Sequence, residues 1–130
     1  MAPTTKATDL RRYVKKNVST IHINARLTLT QRKLVNVLLY NAYDGLLLDE
    51  THSISVSLLS EMIGFDSRNQ AHMRKALKGL TETSVEWDIL EDDGSSAWEV
   101  SSLLSSARIS KGVCSYRYDR GLAEKLRHPD

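Results

Sequence analysis

Four histidines, one cysteine and sixteen carboxylates are the side chains with which this 130-residue chain could hold a metal, attack a substrate or move a proton. Their placement argues against all three. His22, His52, His72 and His128 stand apart, with no second His or Cys at zinc-ligand spacing. Cys114 alternates with Tyr116 and Tyr118 in a strand-like pattern and reads as a buried structural thiol rather than a nucleophile. As the single cysteine it can form no intrachain disulfide. Asp92-Asp93 precedes Gly94 and reads as a turn before it reads as a carboxylate pair. The six glycines are isolated, so no phosphate-cradling loop is present. No metal, no cofactor and no enzymatic activity are expected.

What remains is charge. The formal net charge of +2 is the remainder of large blocks of alternating sign. Residues 1–33 carry eight bases against Asp9 alone, 34–67 five acids and no base, and 68–78 four bases and no acid. Residues 79–107 carry seven acids and no base, and 108–130 six bases against three acids. Sorting of this kind makes faces of opposite potential, and a positive face is the footprint of a nucleic-acid partner. The most pointed segment is Ser67 to Thr81. Wound as a helix, it gathers Met73, Ala76, Leu77 and Leu80 into a stripe about 100° wide. Opposite them come Arg68, Ala71, Lys75 and Lys78, with His72 and Arg74 on the flanks. Such a ridge can lay cations on phosphate oxygens while Arg68, Asn69 and His72 at its N-terminal end reach base edges.

These residues need a scaffold. At 14.7 kDa, with 41% apolar and 26% charged residues, the chain fits one globular domain, and no apolar run approaches the length of a membrane span. The N-terminus has no signal-peptide core, so a cytoplasmic protein is expected. Residues 1–26 form a basic segment with an amphipathic helix from Thr8 to Val18 that presents Arg11, Arg12, Lys15 and Lys16. Residues 27–130 form the domain. Thr28 and Gln31 make a capping box that opens a helix running to about Tyr43. That helix is apolar nearly all round. One side takes Leu34, Val35 and Leu38; the other carries Leu39, Tyr40 and Tyr43 and calls for the N-terminal helix or a second subunit.

A short strand, Ser53 to Val56, and a helix from Leu58 to Ile63 capped by Ser57 follow, then Gly64 and the basic helix, capped by Asp66 or Ser67. Ser84 to Leu90, the turn Asp92-Asp93-Gly94 and Ala97 to Leu104 read as a hairpin, Val113 to Tyr118 as a third strand, and Asp119 to Arg127 as a closing helix. A helix-turn-helix followed by a hairpin is an α+β winged helix with a three-stranded antiparallel sheet and an extra N-terminal helix. The hairpin turn Glu91-Asp92-Asp93-Gly94 is acidic, which suits a wing that avoids phosphates. Trp98 and Val100 on its returning strand are candidates for a protein contact.

In this order and spacing, the segments Leu27 to Asp44, Ile63 to Asn69, Ala76 to Leu80, Val85 to Trp87 and Gly112 to Tyr118 resemble the plasmid replication initiator (Rep) family, whose members carry two winged-helix domains in tandem. The resemblance covers about 100 residues, from Ile21 onward, and implies the first of those domains. It further implies a bacterial, plasmid-associated protein that binds double-stranded DNA at origin iterons or an operator, forms homodimers through this domain, meets host replication proteins, and leaves most base reading to the second domain. Because the chain ends at Asp130, where that second domain would start, a fragment or a shortened member is expected. A free-standing winged-helix transcription regulator and an interaction module for an acidic partner are the alternatives that the residues themselves leave open.

Overall fold

The capping box forms as read. In the computed structural model, which describes residues 20–65 and 70–129, Thr28 Oγ1 accepts from the Gln31 amide at 3.1 Å and the Gln31 side chain accepts from the Thr28 amide at 3.0 Å. These two bonds start helix α1 (Leu29–Ala42), which follows a two-residue strand β1 (His22–Ile23). After a 3₁₀ turn, Tyr43–Gly45, come β2 (His52–Ser55), α2 (Val56–Ile63) and α3 (Gln70–Thr81). Four strands then precede the last helix: β3 (Ser84–Leu90), β4 (Ser96–Ser102), β5 (Ser106–Ser110), β6 (Val113–Arg117) and α4 (Arg120–Arg127). The N-terminal helix expected from Thr8 to Val18 and the cap expected at Asp66 or Ser67 lie outside the described residues.

Helix α1 is central, but not open on one side. Leu39 and Tyr43, expected to be covered by the N-terminal helix or a second subunit, are 1% and 7% exposed within the single chain. Arg127 of α4 lays its guanidinium 4.6 Å from the Tyr43 ring centre and donates to its hydroxyl. Tyr40 is half-buried. On the opposite flank, Tyr116 of β6 donates its hydroxyl hydrogen to Leu38 O at 2.5 Å, and Asn41 donates both to that hydroxyl and to Ser53 O. This polar link ties α1 to the strands beside it, and at its buried end, the Tyr116 hydroxyl on Leu38 O, leaving a member unpaired would cost about 1–3 kcal/mol.

The strand–helix junction is tighter than expected. Ser55, not Ser57, caps α2, accepting from the Leu58 amide at 3.0 Å, so the helix starts at Val56 directly after β2. Gly64 ends α2 with a left-handed φ of 82°, a conformation in which a Cβ is disfavoured.

The sheets depart from expectation more. The returning strand does not run to Leu104. Leu103 and Leu104 turn inward, to 2% and 1% exposure, where the Leu103 amide bonds Thr83 O. The chain then starts a separate strand, β5. The result is two three-stranded antiparallel sheets, ordered β1-β3-β4 and β2-β6-β5. The strand inserted between helices of the helix-turn-helix, β2, pairs with β6, so the wing is the β5–β6 hairpin and the acidic β3–β4 hairpin belongs to the other sheet. Ser110 lies opposite Val113, leaving a two-residue turn, Lys111-Gly112. Both of its φ angles are positive, 52° and 75°, as in a type I′ turn. For a lysine that conformation costs about 1 kcal/mol or more.

His52 opens β2 with its ring 5.7 Å from Tyr116 and 5.8 Å from Tyr118. Burial lowers its pKa from 6.5, with Asp49 opposing in part. The fold therefore favours the neutral imidazole. Its contribution is complete above pH 6.5 and is lost as pH falls through the lowered native value. Urea midpoints measured above and below pH 6.5 should drop on acidification in the parent chain, and less so in His52→Gln. Cys114, fully buried, is pushed up by burial to about 11, which keeps it a thiol.

Candidate nucleic-acid interface

Helix α3 shows the stripe that its sequence predicts. Met73, Ala76, Leu77 and Leu80 are buried, and Ala71, His72, Arg74, Lys75 and Lys78 are exposed. The helix is pinned at both ends. His72 stacks on Phe65 with ring centres 4.5 Å apart, and at the C-terminal end Thr81 and Thr83 donate to the carbonyls of Lys78 and Gly79 at 2.7 Å. A methyl at Gly79 would overlap Gln31 Nε2 of α1.

The exposed cations fall into two groups. Arg117 is paired with Glu50, Arg120 with Glu124, Arg127 with Tyr43, and Lys125 with the carbonyl of Asp88. Arg74, Lys75 and Lys78 on α3, Arg108 and Lys111 on the wing, and Arg26, Arg32 and Lys33 before and on α1 make no side-chain hydrogen bond or ion pair among the described residues. Three of these cations, Arg74, Lys78 and Arg108, line one groove. Between α3 and β5 runs a groove of about 340 Å³ whose floor is Leu77, Ala107 and Ile109 and whose rim carries Arg74, Lys78 and Arg108. Arg74 and Lys78 are four residues apart on α3, a spacing that sets Cβ atoms about 6 Å from each other on one helix face. An apolar floor between unpaired cations matches a sugar–phosphate backbone, which offers sugar faces between anionic oxygens.

Two of the expected base-reading residues, Arg68 and Asn69, and the N-terminal cations Arg11, Arg12, Lys15 and Lys16 lie outside the described residues. Sequence reasoning missed Arg108 and Lys111. Their signal was the alternation of Ala107 and Ile109 before Lys111-Gly112, with Cys114 and Tyr116 after it.

A second surface has another character. Glu86, Asp88 and Leu90 of β3 share the outer face of their sheet with Trp98 and Val100 of β4, by the register Glu86↔Val100 and Asp88↔Trp98. Trp98 is 60%, Val100 48% and Leu90 79% exposed. The other face is internal: Val85 and Trp87 are buried there, and the Trp87 indole donates to Glu99 at 3.0 Å. Strand β4 is an edge, with no further strand beyond it among the described residues.

A family model described as Initiator Replication protein, WH1, matches residues 13–129. The chain belongs to that family. Membership supports a role in the initiation of plasmid replication for this WH1 domain. Its fold is similar to the crystal structure of the WH1 domain of a replication protein isolated from a multiple sclerosis patient, with a TM-score of 0.55 at 11% identity, over 91% of this chain and 92% of the other. No curated protein matches the WH1 domain in sequence. Among its described residues no helix is long and apolar enough to cross a membrane, and no group of three His, Cys, Asp or Glu side chains is placed to hold a metal ion.

Proposed function

We propose that this WH1 domain binds the phosphate backbone of duplex DNA through α3 and the groove beside it, and self-associates through the outer face of the β1-β3-β4 sheet. The observation that carries the first part is the set of cations without acidic partners on one rim, Arg74, Lys78 and Arg108, next to Lys75. On α4 and β6 the cations Arg117, Arg120 and Arg127 are engaged within the fold, whereas those lining the groove are not. Phosphate-directed contacts give affinity without much sequence preference, which suits a domain that steadies an initiator on its origin while other parts read bases. The second part rests on Trp98 and Val100, exposed beside an open strand edge.

Fluorescence anisotropy with a labelled mixed-sequence duplex at low salt tests the DNA reading. About three phosphate contacts give a log–log salt slope near −2.7. Absence of duplex binding at low salt would reject it and favour a protein partner for the basic face.

A further inference from the structure

A second cavity, of about 710 Å³, lies where the loop after the 3₁₀ turn, the start of β5 and the β6–α4 junction meet, and it shares no lining residue with the α3 groove. Most of its charges are already engaged. Glu50 pairs with Arg117 at 3.1 Å, Asp119 accepts from the Leu122 amide at 3.1 Å, and Arg120 donates to Leu47 O at 3.0 Å. Other polar groups in its wall are unpaired. The His52 imidazole is 7% exposed, yet neither ring nitrogen makes a hydrogen bond among the described residues. The Tyr118 hydroxyl and the exposed Asp49 carboxylate, which line the same cavity, have no hydrogen-bond partner there either. Gly45 leaves room for that carboxylate, since a Cβ at position 45 would come within 2.6 Å of Asp49 Oδ2.

A buried polar group without a partner costs free energy unless something outside the chain completes it. A neutral imidazole nitrogen and a phenol oxygen both accept hydrogen bonds, and a carboxylate beside them adds negative charge. The matching ligand brings N–H donors and a positive charge. An alkylammonium group supplies both, with three donors and no acceptor. An anion would meet Asp49, and a metal ion would lack ligands, because no group of three His, Cys, Asp or Glu is placed to hold one among the described residues. We propose that this cavity binds an alkylammonium group, with Asp49 as its counter-ion and the His52 ring and Tyr118 hydroxyl as hydrogen-bond acceptors. The group can arrive on a free polyamine or on a lysine of a protein partner.

Titration of the full 130-residue chain with cadaverine, followed by two-dimensional NMR, should give saturable shifts at His52, Tyr118 and their neighbours. A diol of the same length should give none. Asp49→Asn should weaken cadaverine binding about tenfold, the loss of one charge-assisted contact, and Tyr118→Phe about threefold. Both variants should fold, since Asp49 is exposed and Tyr118→Phe keeps the ring. Binding of Nα-acetyl-lysine methylamide at least as tight as that of cadaverine would assign the ammonium to a protein partner, and binding of cadaverine alone would assign it to a polyamine. Shifts confined to the acidic turn Glu91 to Asp93, equal binding of the diol, or unchanged affinity in Asp49→Asn would overturn the site.

Discussion

Reversing Lys75 and Lys78 to glutamate is expected to lower the affinity for duplex DNA by a factor of about 100 at low salt, and by a similar factor for every sequence offered. Each lysine is exposed on α3 without an acidic partner, so each is available for a charge-assisted bond of about 1.5 kcal/mol or more to a phosphate oxygen. Two such losses together give about 3 kcal/mol, which is about two decades in the dissociation constant. The counterion argument supplies an independent reading of the same variant. If about three phosphates are neutralised by the parent, removing two contacts moves the log–log salt slope from near −2.7 toward −0.9. Folding should be untouched, since neither side chain packs in the core and surface changes of this kind usually stay within about 0.5 kcal/mol. A loss confined to one DNA sequence would mean that the lysines read bases, and retained affinity with a retained slope would remove α3 from the interface.

The helices were legible because each announces itself locally. Thr28 and Gln31 are three residues apart and cap each other, and the buried stripe of α3 follows from a 3.6-residue period that needs no knowledge of the rest of the fold. The wing was not. Strand β5 offers only Ala107 and Ile109 as alternating apolar residues, and Lys111-Gly112 lacks the asparagine or aspartate that flags a two-residue turn. With β5 unseen, the acidic β3–β4 hairpin was the only one available for the wing, and its carboxylates argued against DNA contact on the wrong element. Strand β1 is too short, at two residues, to show any period.

Leu39 and Tyr43 show a different limit. A helical wheel reports which side chains are apolar, not which part of the chain returns to cover them. Tyr43 is covered by Arg127, 84 positions later, and that long-range contact has no local signature. The same limit works in favour of Trp98 and Val100. Their alternation along β4 was readable, but only the sheet order places them beside an open edge instead of under a helix.

That placement sets the second large effect. Trp98→Asp is expected to weaken self-association of the chain by a factor of about 30 or more while leaving its fold intact. The indole is 60% exposed in the monomer, so its removal exposes no core. A tryptophan buried at the centre of an interface is commonly worth 2 kcal/mol or more. The face around it is also acidic, with Glu86 and Asp88 on the same side of the sheet and seven acids without a base over residues 79–107. Two copies meeting there bring like charges together, so added salt should strengthen association by screening that repulsion. Salt weakens DNA binding through counterion release, so the two activities should respond to ionic strength in opposite directions. Sedimentation equilibrium at tens of micromolar, with and without added salt, reads both effects. A parent chain that stays at 14.7 kDa throughout would remove self-association from the account. A dimer equally stable in Trp98→Asp would move the contact off this sheet.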